Sequence, residues 1–152
     1  MDKLKNWYYQ QWRVTVRYSK THSWVELEDK ETAIIGISDK AQFRLGEIIY
    51  VELPEVGDEF EQDEPMGSLE SIDGAVVTFY SPITGEVIEV NEALDSSPDL
   101  INRSPEGDGW IAKMRIEIPR EIGLLMTPEQ YERYDEDDFD DGYEEYEEEE
   151  YY

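Results

Sequence analysis

Gly46-Glu47-Ile48-Ile49-Tyr50-Val51 returns 39 residues later as Gly85-Glu86-Val87-Ile88-Glu89-Val90. In each copy a Gly-Glu pair opens a β-prone run with apolar residues at matched positions, the mark of a chain built from two similar halves. The midpoint of the copies falls in the Met66–Tyr80 region. Two halves joined there form a flattened, quasi-symmetric β-barrel whose joining hairpin projects at one end. That hairpin is legible residue by residue: Leu69-Glu70-Ser71-Ile72 leads in and Ala75-Val76-Val77-Thr78 leads out. Asp73-Gly74 lies between, and Asp-Gly between two β-prone runs predicts a two-residue type I′ turn.

Working outward, short β-branched or alternating runs predict strands at 14–18, 24–28, 32–37, 48–53, 66–72, 75–80, 86–90 and 111–118. Gly, Pro, Asp and Asn clusters separate them, the pattern of a small, mostly β sandwich or barrel. Short helices interrupt the strands. Ser38 is placed to cap a helix over 39–45, with Gly46 to stop it. Ser97-Pro98 predicts a single turn reaching Asn102. Thr127-Pro128-Glu129-Gln130 is a capping box with proline at the first helical position, so a C-terminal helix is expected there.

The chain has 152 residues, enough for one domain. It carries 39 acidic and 13 basic side chains, a formal net charge of −26. A surface this acidic repels phosphate backbones and anionic lipid headgroups, so neither nucleic acid nor membrane is an expected partner. Cysteine is absent, which excludes disulfides, thiolate zinc sites and a cysteine nucleophile. No apolar run approaches the ~20 residues needed to span a bilayer, and the N-terminus lacks a secretory apolar core, so a cytoplasmic location is expected.

The charge is uneven. From Asp135 to Tyr152 every charged residue is a carboxylate, twelve in all, interleaved with Phe139, Tyr143, Tyr146, Tyr151 and Tyr152. A block of like charge repels itself and buries little, so 135–152 is expected to be a disordered tail. Residues 1–13 form a basic, aromatic leader with Lys3, Lys5, Trp7, Tyr8, Tyr9 and Trp12, leaving 14–134 as the folded domain. The tail also matches four positions of a calcium loop (Asp137, Asp141, Gly142, Glu148), but Phe139 occupies a ligand position without an oxygen, so no metal site is expected. His22, the only histidine, reads as a hydrogen-bonded structural residue beside Trp24. Ser71 has no neighbouring base to activate it. No catalytic residue is expected, and the chain does not read as an enzyme.

Several stretches together resemble the H protein of the glycine cleavage system. They are Tyr18-Ser19-Lys20-Thr21-His22-Ser23-Trp24; Ile37 to Gln42 with Leu45-Gly46-Glu47-Ile48; Tyr50 to Gly57; Ser81 to Asn91; and Ser97 to Asn102 with Pro105, Gly107, Gly109 and Trp110. The resemblance covers roughly Tyr18 to Tyr134. It implies a lipoyl-domain-like barrel-sandwich hybrid that is not itself a catalyst. It also implies a protein that carries lipoic acid, amide-linked to one lysine at a hairpin tip, among decarboxylating, aminomethyl-transferring and dithiol-oxidising partners. The cofactor performs the redox chemistry and the protein places it.

The family's attachment motif reads Glu-Ser-Val-Lys-Ala, where this chain has Glu70-Ser71-Ile72-Asp73-Gly74-Ala75. The lysine position falls at Asp73 or Gly74, neither of which forms the amide, and no lysine occurs between Lys40 and Lys113. The expectation is therefore a non-lipoylated relative with no cofactor, a docking, adaptor or regulatory module. Glu70, Ser71, Ile72, Asp73, Gly74 and Ala75 are its candidate docking residues, and glycine cleavage or lipoate-handling enzymes its protein partners. Two alternatives stand beside it: a working H protein lipoylated at an unrecognised lysine such as Lys40 or Lys113, and an interaction protein acting through its tail.

Overall fold

A computed structural model describes residues 16–141, with side chains described as far as Tyr134. The leader, and the tail beyond Asp141, lie outside the described residues, as does any contact between them.

The strands form two sheets. The first has six strands in the order β1-β2-β3-β9-β8-β5, and the second has three in the order β4-β6-β7. Their ranges are β1 Arg17–Tyr18, β2 Ser23–Leu27, β3 Thr32–Ile37, β4 Ile48–Glu52, β5 Glu59–Phe60, β6 Pro65–Ser71, β7 Val76–Tyr80, β8 Gly85–Val90 and β9 Ala112–Ile116. All pairings are antiparallel. The two Gly-Glu copies open β4 and β8, one in each sheet, as two packed halves would place them. The sheets remain separate and do not close into one hydrogen-bonded barrel.

The core lies between the sheets. Ile35, Ile48, Leu69, Ile83, Val87 and Met114 are all within 1% of full burial, and at ~25 cal/mol per Å² such apolar burial is the main favourable term in folding. Gly85 is required by packing, because a Cβ there would sit 2.2 Å from the Arg115 carbonyl oxygen across the β8–β9 ladder.

The helices are α1 Asp39–Leu45, α2 Ala93–Ser96, α3 Leu100–Arg103, α4 Arg120–Leu124 and α5 Pro128–Asp141. Ser38 caps α1, accepting the Ala41 N–H, and the Gly46 N–H closes the helix on the Gln42 carbonyl. The turn predicted from Ser97 begins later: α3 starts at Leu100 after Asp99, and the separate turn α2 precedes it. Asn102, at the far end of that segment, ties α1 to β4. Its Oδ1 accepts the Ile48 N–H at 2.9 Å and its Nδ2 donates to the Gly46 carbonyl at 2.8 Å.

The capping box of α5 forms as read. The Gln130 N–H donates to Thr127 Oγ1 at 3.2 Å, and the Thr127 N–H to Gln130 Oε1 at 2.9 Å. Tyr131 then fixes the helix to the domain. It is 4% exposed, its ring stacks on Tyr18 with centroids 4.4 Å apart and planes 5° from parallel, and its hydroxyl lies 2.6 Å from both His22 Nδ1 and Ser38 Oγ.

Candidate functional site: the β6–β7 hairpin

The hairpin pairs Ser68 with Thr78, Leu69 with Val77 and Glu70 with Val76. Its other edge runs along β4, so Tyr50, Glu70 and Val76 form one row across the three strands. Leu69 points into the core, while Tyr50 and Val76 are exposed at 56% and 64%. The outer face thus offers a phenol, a carboxylate and a valine side by side.

The turn itself differs from the two-residue type I′ predicted from Asp73-Gly74. The Ser71 N–H donates to the Ala75 carbonyl at 2.9 Å, and the Gly74 N–H to the Ser71 carbonyl at 3.0 Å. The loop is therefore three residues, Ile72-Asp73-Gly74. Only Gly74 among them has positive φ, at 95°, whereas a type I′ turn requires it at both central residues. The reason lies on the neighbouring strand: the Ile72 N–H donates to the Glu47 carbonyl at 2.8 Å, which holds Ile72 back from the closing pair. The result is a turn followed by a left-handed glycine, the common three-residue hairpin.

Side chains then stiffen the apex. The Ser71 hydroxyl donates to the Asp73 carboxylate, and the Ala75 N–H donates to the same Oδ1 at 3.1 Å. These hydrogen bonds, that from Ser71 foremost, hold the Asp73 carboxyl below the usual aspartate range. Ser71 is buried beneath the turn, and Ile72 projects from it at 63% exposure. The six residues singled out in sequence, Glu70 to Ala75, are thus one contiguous apex. Its hydroxyl and carboxylate bond to each other and to the turn backbone, and its apolar tip faces outward.

An amide-linked group would need a primary amine at the apex itself. The apex has none: the two positions where the family's lysine falls hold a carboxylate that locks the turn and a glycine whose φ the turn requires. The residues present do not fit a lipoyl group at this point. The two lysines flanking the segment in sequence lie on other elements. Lys40, on α1, donates toward the Glu132 carbonyl at 3.5 Å and lies 5.8 Å from the Tyr131 ring centroid. Lys113, on β9, sits between Glu28 at 3.0 Å and Glu89 at 3.6 Å and over the Trp110 ring. Its hydrogen bond to Glu28 foremost raises its pKa.

His22 takes the structural role expected of it. Its backbone has φ 71°, its carbonyl accepts the Ser38 N–H at 3.0 Å, and its ring meets Tyr131. No group of three or more His, Asp or Glu side chains placed to hold a metal occurs among the described residues, and no described helix is long and apolar enough to cross a membrane. Sequence reading missed the exposed positions of Tyr50 and Val76 on the outer face and the partial exposure of Val77 on the opposite one. The available signal was the run Val76-Val77-Thr78, which breaks strict alternation in a strand that, among the described residues, pairs on one side only.

Two facing sheets, a capped C-terminal helix and a projecting hairpin make up a lipoyl-domain-like fold. Comparison with known proteins makes this specific. Residues 16–138 match the family model for glycine cleavage H-protein, and the chain belongs to that family. It is 45% identical to the glycine cleavage system H protein of Thermotoga maritima over 118 residues, covering 78% of this chain and 94% of the relative. It is 49% identical to that of Bacillus subtilis over 123 residues, covering 81% and 95%. The crystal structure of a glycine cleavage system H protein from Mycobacterium marinum superposes with a TM-score of 0.73 at 28% identity, covering 80% of this chain and 97% of that one.

The comparisons bear out the mostly β, lipoyl-domain-like fold that the resemblance implies, although its two sheets do not close into the flattened barrel expected from the echo. Membership also bears out the reading that the chain is not an enzyme, since proteins of this family are carriers. It corrects the expectation of no cofactor. The match to the family and to relatives named as H proteins makes lipoic acid the cofactor that belongs to this kind of chain. The missing lysine bears on one attachment point, the apex, and not on the chain as a whole.

Proposed function

We propose that this chain is a docking module of the glycine cleavage system that engages its protein partners through the hairpin apex and acts as an adaptor or regulator of them. The observation that carries this reading is the apex itself: an ordered turn, locked by Ser71 and Asp73, that presents Ile72 outward without an amine. Glu70 and Asp73 give the surface a negative rim around an apolar tip, which suits a partner with bases around a shallow apolar hollow. The partners are glycine cleavage subunits or the enzymes that install lipoate, whose substrates share this fold. A cysteine-free, strongly acidic chain suits the cytoplasm, the compartment we propose.

Competition tests it. In a glycine cleavage reaction reconstituted with a lipoylated H protein, added chain is expected to lower the rate in proportion to its concentration. The Ile72→Asp variant, which replaces the apolar tip, is expected to relieve that inhibition. A rate unaffected by large excess would remove the proposal. Omitting the other H protein examines the carrier alternative: turnover sustained by this chain alone, with a lipoyl adduct mapped to a lysine by peptide mass, would make it a carrier and not an adaptor.

A further inference from the structure

Among the described residues an aspartate precedes a glycine at Asp73-Gly74, on the hairpin apex, and at Asp108-Gly109, before β9. The pair carries its own chemistry. With no side chain on the second residue and a freely rotating backbone there, the glycine nitrogen can reach the aspartyl Cγ and close a five-membered ring. Whether it does so depends on how the two residues are held.

The two pairs are held in opposite ways. Residues 72–78 are all exposed, and a Cβ built on Gly74 would meet nothing within 4 Å, so the chain there has open space. The Ala75 N–H donates to Asp73 Oδ1 at 3.1 Å. That bond folds the carboxyl forward over the Gly74 peptide, toward the nitrogen that would attack it. Asp108-Gly109 is clamped instead. Gly109 is buried, and a Cβ on it would sit 2.6 Å from the Leu100 carbonyl oxygen and 2.8 Å from Ile101 Cα. The Gly109 N–H donates to the Ser104 carbonyl at 2.7 Å, and the Asp108 N–H to Ser104 Oγ at 3.1 Å. The Asp108 carbonyl accepts the Asn91 amide at 2.9 Å. Ring closure there would have to turn backbone that is packed and bonded on both sides.

One restraint does act at the apex. The Ser71 hydroxyl, buried beneath the turn, donates to the Asp73 carboxylate. The ring closes from the neutral carboxyl, which can release hydroxyl as water, and a hydrogen bond to the charged form keeps the group ionised.

We propose that Asp73-Gly74 is a site of spontaneous covalent modification, rearranging through a succinimide to isoaspartate, and that the Ser71 hydroxyl restrains it. The Gly74 nitrogen bonds to Cγ of the neutral Asp73 carboxyl, and its proton leaves with the carboxyl hydroxyl as water. A second water then opens the ring. Attack at Cγ restores aspartate. Attack at the former backbone carbonyl breaks its bond to nitrogen, so the chain then runs through Cγ. The product has one more methylene in the backbone and its carboxylate on Cα. The acceptor shared by Ser71 and Ala75 is thereby displaced, and the turn that presents Ile72 is lengthened. The rearrangement is independent of what the apex binds.

The full chain is incubated warm at mildly acidic pH and sampled over time. Digestion with a protease that cuts before aspartate but not before isoaspartate, read by peptide mass, follows each pair separately, Asp141-Gly142 included. Isoaspartate is expected to accumulate several-fold faster at Asp73 than at Asp108, preceded by a species one water lighter on the Asp73 peptide. In Ser71→Ala, with its fold checked by the amide spectrum, the Asp73 rate is expected to rise several-fold while the Asp108 rate stays the same. Equal rates at Asp73 and Asp108 in the parent chain would overturn the proposal. So would a Ser71→Ala chain that rearranges at Asp73 no faster than the parent.

Discussion

At the apex of the β6–β7 hairpin, Ser71, Asp73 and Ala75 exchange hydrogen bonds within five residues of chain; at the foot of α5, Tyr131 reaches back 109 residues to His22 and 93 to Ser38. Both clusters join a hydroxyl to a titratable side chain, yet they do different work. At the apex the Asp73 carboxylate and the Ala75 N–H are exposed and only Ser71 is buried, so water competes at the acceptor and the net contribution to stability is small. The foot of α5 is buried, so each polar atom there needs its partner. The phenol oxygen of Tyr131 lies 2.6 Å from both His22 Nδ1 and Ser38 Oγ, within hydrogen-bond reach of each. Ser38 in turn caps α1, and Glu106 accepts the Tyr18 hydroxyl at 2.8 Å and, with its other oxygen, the Asp39 N–H at 3.2 Å. A stacked tyrosine pair thus runs into the N-terminus of α1 through two acceptors. The comparison teaches that similar hydrogen bonds set the shape of an exposed recognition surface in one place and the integrity of the domain in the other.

The largest way to break this contrast is Tyr131→Ala, expected to cost about 3–5 kcal/mol, as for other buried aromatics, read from the urea midpoint. Tyr131→Phe keeps the stack on Tyr18 but removes one hydrogen-bond partner each from His22 and Ser38, and about 1–3 kcal/mol is expected. Equal losses for the two variants would show that the hydroxyl, and not the ring, carries the anchor.

Tyr18 gives the next effect. Burial foremost, then its hydrogen bond to Glu106, pushes its phenol far above the ordinary tyrosine value. A raised folded-state pKa contributes stability that is fully present below the unfolded value of about 10 and is lost as pH rises from there toward the folded value. Stability above pH 10 should therefore fall less steeply in Tyr18→Phe than in the parent chain. Parallel pH profiles would contradict the assignment.

The smallest effect is at the apex. The Asp73 carboxyl is held below its ordinary value, so its contribution is present above about pH 4 and is lost as pH falls through the lower folded value. Asp73→Ala should change the thermal midpoint little at pH 7 and remove what acid dependence the turn has. A change as large as that of Tyr131→Phe would mean that the apex is a structural element after all.

The same contrast explains what the sequence disclosed. Ser38, Gly46 and the Thr127-to-Gln130 box act on backbone within four residues, and all were legible. The hairpin was legible as a hairpin, but its turn type was set by the Glu47 carbonyl on another strand, 25 residues from Ile72, which no local pattern records. β5 is two residues long, and α4 follows Pro119 and contains Gly123, so neither had a period to detect. The apex residues were found because the family motif is local. The Tyr131 anchor was not, since its partners are brought together only by the completed fold.

Titration of the isotope-labelled chain with the glycine cleavage subunits, followed by amide shifts, tests the docking claim most directly. Changes are expected at Glu70 through Val76, with the amides around Tyr131 unmoved. Binding that shifts other surfaces while the apex stays fixed would contradict it.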